Sequence, residues 1–251
     1  MENLLKDFGS SDLDKIKSLK LMNRKDTKFI FHKDLLFEML NEISDDYDIL
    51  EIEKKRIFKY TTLYYDTPFF HLYKDHHNKK LNRFKVRMRK YDDSNIYFLE
   101  IKFKTNTGHT VKKRIEREEI ENNLTENSLA YVKNVFEGFA AGRCHEITTL
   151  EPKIYTNYSR ITLSGKNIKE KVTLDLNYSV IGNQNRAFNS HVIAELKQEK
   201  LNTNSPFYGI LRNRGIKKTS FSKYCAAIAI TTNEKQNQFK YVLNNFLKIA
   251  D

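Results

Sequence analysis

The sequence predicts an α+β fold dominated by antiparallel strands, about eight of them curling into a barrel, with a few amphipathic helices packed against it. Three observations in the 251 residues predict this: polar and apolar residues alternate over many strand-length runs, short polar turns join neighbouring runs, and three other stretches carry apolar residues at helical spacing. With three prolines, eight glycines and no linker-like run or internal repeat, residues 1–251 are expected to form a single domain.

The first helix is expected over 33–43, where Leu36, Met39, Leu40 and Ile43 share a face. Strands follow at 47–52, 59–65, 82–89, 97–104 and 109–116. Asp92-Asp93-Ser94 and Thr105-Asn106-Thr107-Gly108 supply turns for two hairpins. A second helix spans 126–139 through Leu129, Val132, Val135, Phe136 and Phe139. Three more strands run over 153–163, 171–176 and 191–198. A last helix over 236–249 presents Phe239, Val242, Leu243 and Phe246. These apolar stripes are packing faces, the main source of helix stability in a folded protein.

Composition narrows the partners. The chain carries 44 Lys and Arg against 32 Asp and Glu, a net charge of +12, which points to a polyanion without saying which. Residues 79–117 hold thirteen of the basic residues against only Asp92, Asp93, Glu100 and Glu116. Cys144 and Cys225 are isolated, so neither a disulfide framework nor a zinc site is expected, and a cytoplasmic location agrees with them. No run approaches the roughly 18 apolar residues of a membrane span, and the polar N-terminus is unlike a secretory signal, so direct membrane insertion is not expected.

The basic residues fall on strand faces, because side chains two apart point the same way. Arg83, Lys85, Arg87 and Arg89 share one face while Phe84, Val86 and Met88 share the other. Glu100, Lys102 and Lys104 go together, as do Lys112, Arg114 and Glu116, then Tyr158 and Arg160, then Lys171, Thr173 and Asp175, then Glu195 and Lys197. An ordinary half-exposed sheet would account for any one of these strands. Six such faces dominated by Arg and Lys repel one another, and a bound polyanion supplies the reason for them. If the faces converge in a barrel, the field is focused and each contact with a phosphate oxygen strengthens. Arginine offers a planar fork to phosphate and lysine a mobile point charge, so a row of them suits a linear phosphate chain. Nucleic acid is not expected, since the basic residues follow the strand period rather than mixing with exposed stacking aromatics.

The order of short motifs resembles the triphosphate tunnel metalloenzymes, and within them the polyphosphate polymerase domain of the vacuolar transporter chaperone (VTC) complexes. The segments are Arg24-Lys25-Asp26-Thr27-Lys28, Leu63-Tyr64-Tyr65-Asp66-Thr67, Lys85-Val86-Arg87-Met88-Arg89, Phe98-Leu99-Glu100-Ile101-Lys102 and Val111-Lys112-Lys113-Arg114. Tyr158-Ser159-Arg160, Val172-Thr173-Leu174-Asp175, Ala194-Glu195-Leu196-Lys197 and Ser220-Phe221-Ser222-Lys223-Tyr224 complete the set, which extends from about Arg24 to Ile230.

The resemblance implies an eight-stranded antiparallel tunnel that holds ATP and inorganic polyphosphate and, with Mn²⁺ or Mg²⁺, moves the terminal phosphoryl group of ATP onto the growing chain. It implies Arg87, Arg89 and Lys223 as catalytic groups. Lys28, Lys102, Lys112, Tyr158, Arg160, Lys171, Lys197 and Ser222 become substrate-binding residues, and Glu195 the metal ligand. Hydrolytic and cyclase relatives begin with Glu-x-Glu-x-Lys, whereas the comparable positions here are Arg24, Asp26 and Lys28, which favours the polymerase branch. Lys171 stands where that branch has arginine. The inositol-phosphate-sensing domain and membrane helices of eukaryotic VTC proteins have no counterpart in these 251 residues, so direct coupling to translocation is not expected. Two other readings share the same residues: a tripolyphosphatase or nucleoside triphosphatase, and a noncatalytic polyphosphate-binding module.

Overall fold

A computed structural model describes residues 5–18, 25–140 and 148–249. The sequence motif beginning at Arg24 therefore starts one residue outside the described part, and Cys144 also lies outside it.

In chain order the elements are β1 (Gly9–Ser11), α1 (Leu13–Ser18), β2 (Lys25–His32), α2 (Asp34–Ile43), β3 (Tyr47–Leu50), β4 (Phe58–Asp66) and α3 (His71–His77). Then come β5 (Arg83–Tyr91), β6 (Ile96–Lys104), β7 (Thr110–Arg117), α4 (Glu126–Ala140), β8 (Glu151–Gly165) and β9 (Glu170–Ile181). β10 (Arg186–Phe188), β11 (His191–Gln198), α5 (Pro206–Asn213), α6 (Lys223–Thr231) and α7 (Lys240–Leu247) complete the chain. Eight strands form the hydrogen-bonded path β2-β11-β9-β8-β4-β5-β6-β7, antiparallel throughout.

The predicted class holds, with two corrections. The path is open: β2 and β7 are its ends and do not pair with each other among the described residues, so the barrel is not closed by hydrogen bonds. The expected strand at 47–52 is β3, which pairs beside the path with β1 and the far end of β8. The eighth strand of the path is instead β2, where Phe29 and Phe31 enter the core while Lys28 and Ile30 face the other way.

Alternation builds two faces. On the convex face, Phe29, Phe31, Ile161, Leu163, Val172, Leu174, Val192, Ala194 and Leu196 pack under α2 and α5. The other half of that face, with Phe84, Val86, Met88, Leu99, Ile101 and Phe103, packs under α4, where the Phe84 and Phe136 rings stack with centroids 3.6 Å apart. α4 is held at its start by Glu121, which accepts from Thr125 N at 2.8 Å and from Ser128 Oγ at 2.8 Å.

The concave face carries the charged side chains and also α6, whose residues Tyr224 to Ala229 are all buried. A helix apolar on every side has to sit inside the molecule, and Cys225, Ala226, Ala227 and Ala229 are small enough to let it lie close on the strands. A β-bulge makes room for its anchor: Asn177 and Tyr178 together oppose Tyr158, and Asn177 takes φ +51°. The extra residue switches the parity of β9. Asp175 and Tyr178 therefore both face the concave side, where unbroken alternation would have sent Tyr178 outward with Leu174 and Leu176. The Tyr178 hydroxyl donates to the backbone oxygen of Lys223 at 2.9 Å.

Candidate functional site

Strand register brings the predicted residues into one trough. Across the path, Lys28 lies opposite Glu195, Glu195 opposite Thr173, Asp175 opposite Arg160, Arg87 opposite Glu100, and Lys85 opposite Lys102, which is itself opposite Lys112. The N-terminus of α6 adds Ser222 and Lys223 from above. Nine cations, Lys28, Lys85, Arg87, Arg89, Lys102, Lys112, Arg160, Lys197 and Lys223, thus share the trough with Asp26, Glu100, Asp175 and Glu195.

Glu100, Asp175 and Glu195 are each clamped. Glu100 is 2% exposed and accepts from Arg87 Nε at 2.8 Å and Nη2 at 2.6 Å, pairs with Lys112, and has Arg89 at 4.0 Å. Burial alone would raise its carboxyl pKa, but Arg87, Arg89 and Lys112 together hold it well below the usual carboxylate range. Asp175 receives Arg160 in a fork, Nε at 2.6 Å and Nη2 at 2.9 Å, and pairs with Lys223. Its pKa is likewise driven down by Arg160 and Lys223 against the opposing effect of burial. Glu195 pairs with Lys197 at 2.6 Å, and Lys197 also donates to Thr173 Oγ1 at 3.1 Å. Burial opposes, but Lys197 and Lys28 keep the Glu195 carboxyl ionised.

Aromatic rings line the space between the clamps. Arg160 lies 5.3 Å from the Tyr60 ring and 5.2 Å from that of Tyr158, Lys223 lies 4.5 Å from Tyr158, and Tyr60 stacks on Tyr158 at 5.2 Å. Beneath them the Tyr158 hydroxyl and Arg89 Nε are buried without a hydrogen-bond partner. Buried polar atoms are nearly always satisfied, so these two are groups that a ligand or water would complete.

Of the trough lysines with a lowered pKa, Lys85 and Lys102 show the strain of the surplus. Burial depresses the pKa of Lys85 to about 8, with Lys28, Arg87 and Arg83 adding to it and Cys225 opposing. Lys102 is pushed the same way, to about 8, by desolvation and by Lys85 and Lys28, although it faces the open trough and water screens part of the effect.

Among the predicted residues Lys171 stands apart: it is opposite Lys197 at the rim, and its ammonium donates to the Ile16 oxygen of α1 at 3.3 Å. Ser222 caps α6, accepting from Cys225 N at 3.3 Å. Glu100, Asp175 and Lys85 lie within the sequence motifs, which by themselves assign them no role. The signal was available, since an array of like charges in a folded chain needs buried counter-ions, and Glu100 shares the face of Lys102.

Glu195 is the donor that would meet a metal arriving with its ligand. No group of three His, Cys, Asp or Glu that could hold an ion occurs among the described residues. Of the three clamped carboxylates Glu195 is the most exposed, its side chain 22% accessible, and one such carboxylate together with substrate oxygens would suit Mg²⁺ or Mn²⁺. No helix among the described residues is long and apolar enough to cross a membrane.

No curated protein sequence matches the chain. Among solved structures, it is similar to a Hippeastrum adenylyl cyclase-like protein described as having a dominant triphosphatase activity, with 15% identity over 83% of this chain and 96% of that one, and a TM-score of 0.48. A Pyrococcus horikoshii protein matches at 11% identity over 82% and 96% of the two chains with a TM-score of 0.44, and a conserved hypothetical protein of Pyrococcus furiosus at 13% over 77% and 91% with a TM-score of 0.40. The profile of the VTC domain matches residues 23–232, which include all eight strands of the path and every cation of the trough. The chain therefore belongs to the VTC domain family.

Proposed function

We propose that the chain is a metal-dependent polyphosphate polymerase that passes the terminal phosphoryl group of ATP to the end of a polyphosphate chain held in the trough, releasing ADP. The observation that carries this reading is the charge imbalance inside the trough: Glu100, Asp175 and Glu195 are already committed to cations, Asp26 adds one more acid, and against nine cations positive charge remains in surplus where water is scarce. A ligand with one negative charge per unit along a line matches that surplus.

Phosphoryl transfer asks for in-line positioning and for positive charge around the moving group, with little covalent chemistry from the protein. In this reading Arg87, Arg89 and Lys223 surround the transferring phosphoryl group, with Glu100 and Asp175 fixing their directions. Lys28, Lys102, Lys112, Arg160, Lys197, Ser222 and Tyr158 hold the flanking phosphates, and Lys171 receives the chain at the rim. Glu195 would hold Mn²⁺ or Mg²⁺, which when bound neutralises charge on the phosphate oxygens.

Incubation of the purified chain with ATP and Mn²⁺ or Mg²⁺, with products resolved on a gel, tests the reading. A metal-dependent ladder of long polyphosphate that Arg87→Ala and Glu195→Ala both lose is the expected result. Free phosphate without chain growth would replace the polymerase with a triphosphatase. Salt-sensitive binding without turnover would leave a binding module.

A further inference from the structure

Lys85 is the one cation of the trough left without a task. It lies on β5 two residues before Arg87, and its ammonium donates to Ser222 Oγ at 2.8 Å. From the other end of the path, Lys28 on β2 donates to the Phe221 oxygen at 2.8 Å. Ammonium groups from two distant strands thus meet the residues that open α6, whose first residue is itself Lys223.

This convergence is unfavourable as it stands. A helix N-terminus carries partial positive charge, so cations gathered there are repelled by the helix as well as by one another. Neither Lys28 nor Lys85 is ion-paired with a carboxylate among the described residues; their partners are a neutral carbonyl and a neutral hydroxyl. Burial and the neighbouring Lys28, Arg87 and Arg83 weigh against the charged form of Lys85. A residue kept for packing would be better served by an uncharged side chain at this place.

We propose that Lys85 is a further substrate-binding residue: without ligand it rests on the Ser222 hydroxyl, and when a phosphate chain enters, Lys85 and Ser222 both turn to an oxyanion seated at the N-terminus of α6. The inference rests on the trough being a phosphate-chain site. It adds that the unfavourable placement of Lys85 in the empty trough is released on binding and so contributes to affinity.

That gives stability and affinity opposite signs. The full-length chain is melted with and without tripolyphosphate, and tripolyphosphate affinity is titrated by calorimetry, for the wild type, Lys85→Met and Lys85→Arg. The expected result is that Lys85→Met melts at or above the wild type without ligand, binds tripolyphosphate roughly ten- to a hundredfold more weakly, and that Lys85→Arg recovers most of the affinity. If Lys85 is only a peg for Ser222, Lys85→Met melts lower and binds tripolyphosphate as the wild type does, which overturns the proposal. A Lys85→Met chain that fails to fold overturns it as well. If the wild type itself gains no stability from tripolyphosphate, the reading of the trough fails, and this inference with it.

Discussion

Replacing Glu100 with glutamine keeps the shape of the side chain and removes the one negative charge among Arg87, Arg89 and Lys112. Glu100 is 2% exposed and Arg89 has a side chain 9% exposed, so the cations left behind are poorly hydrated. Breaking a buried ion pair from one side costs about 3–5 kcal/mol. The lower end applies here, because Lys112 has a side chain 44% exposed and its share of the repulsion is screened by water. At roughly 2–4 °C per kcal/mol for a chain of this size, about 3 kcal/mol lowers the melting temperature by about 6–12 °C. Differential scanning calorimetry in dilute, anion-poor buffer measures the loss. Repeating it with tripolyphosphate should return more stability to Glu100→Gln than to the wild type, since the ligand then supplies the missing negative charge. A drop under about 2 °C, or equal stabilisation of both proteins by tripolyphosphate, would refute the claim that Glu100 balances a crowded set of cations.

Four further outcomes follow from the structure. Glu100, Asp175 and Glu195 have pKa values lowered in the folded chain, so the unfolded chain takes up more protons on acidification; their contribution is complete above about pH 4 and is lost as the pH falls toward the folded values, read from urea midpoints between pH 6 and 2.5. Lys85, lowered to about 8, acts at the other end: between pH 8 and about 9, below the range where tyrosines of the unfolded chain titrate, the unfolded state holds more protons at this residue, so the ligand-free wild type should gain stability relative to Lys85→Met, and parallel midpoints for the two would contradict it. EDTA should abolish phosphoryl transfer yet leave tripolyphosphate binding detectable by calorimetry, because the trough's own cations supply most of its charge. Phe84→Ala removes a fully buried ring stacked on Phe136 and should cost about 3–5 kcal/mol by chemical denaturation, through loss of the α4 packing rather than of the site.

The strand faces were legible because period-two alternation survives in single runs: Arg87 and Arg89 against Val86 and Met88 is readable without any partner strand. What was not legible depends on distant pairing or on elements with no period. β2 carries Ile30 on the same face as Lys28, which blurs its alternation. α6 is apolar on all sides, so it has no stripe to detect, and α3 is only seven residues long. The orientation of Tyr178 turns on a bulge at Asn177, and one added residue reverses every prediction of facing beyond it. Glu100 and Asp175 were visible as acidic residues in basic surroundings, but their roles as shared counter-ions appear only once β5, β6 and β7, or β8, β9 and α6, are brought together.

The open path has a consequence for how the protein behaves in concentrated solution. β7 pairs on one side only among the described residues, so its other edge presents backbone donors and acceptors that could recruit a strand from another molecule. Lys112, Lys113, Arg114 and Glu116 are all exposed along that edge, and two molecules approaching through it would bring like charges together. The lysine and arginine content of this strand thus opposes edge-to-edge association, apart from the phosphate-binding part proposed for Lys112. Variants that neutralise it to weaken anion binding should also be checked for aggregation by light scattering, since both properties draw on the same side chains.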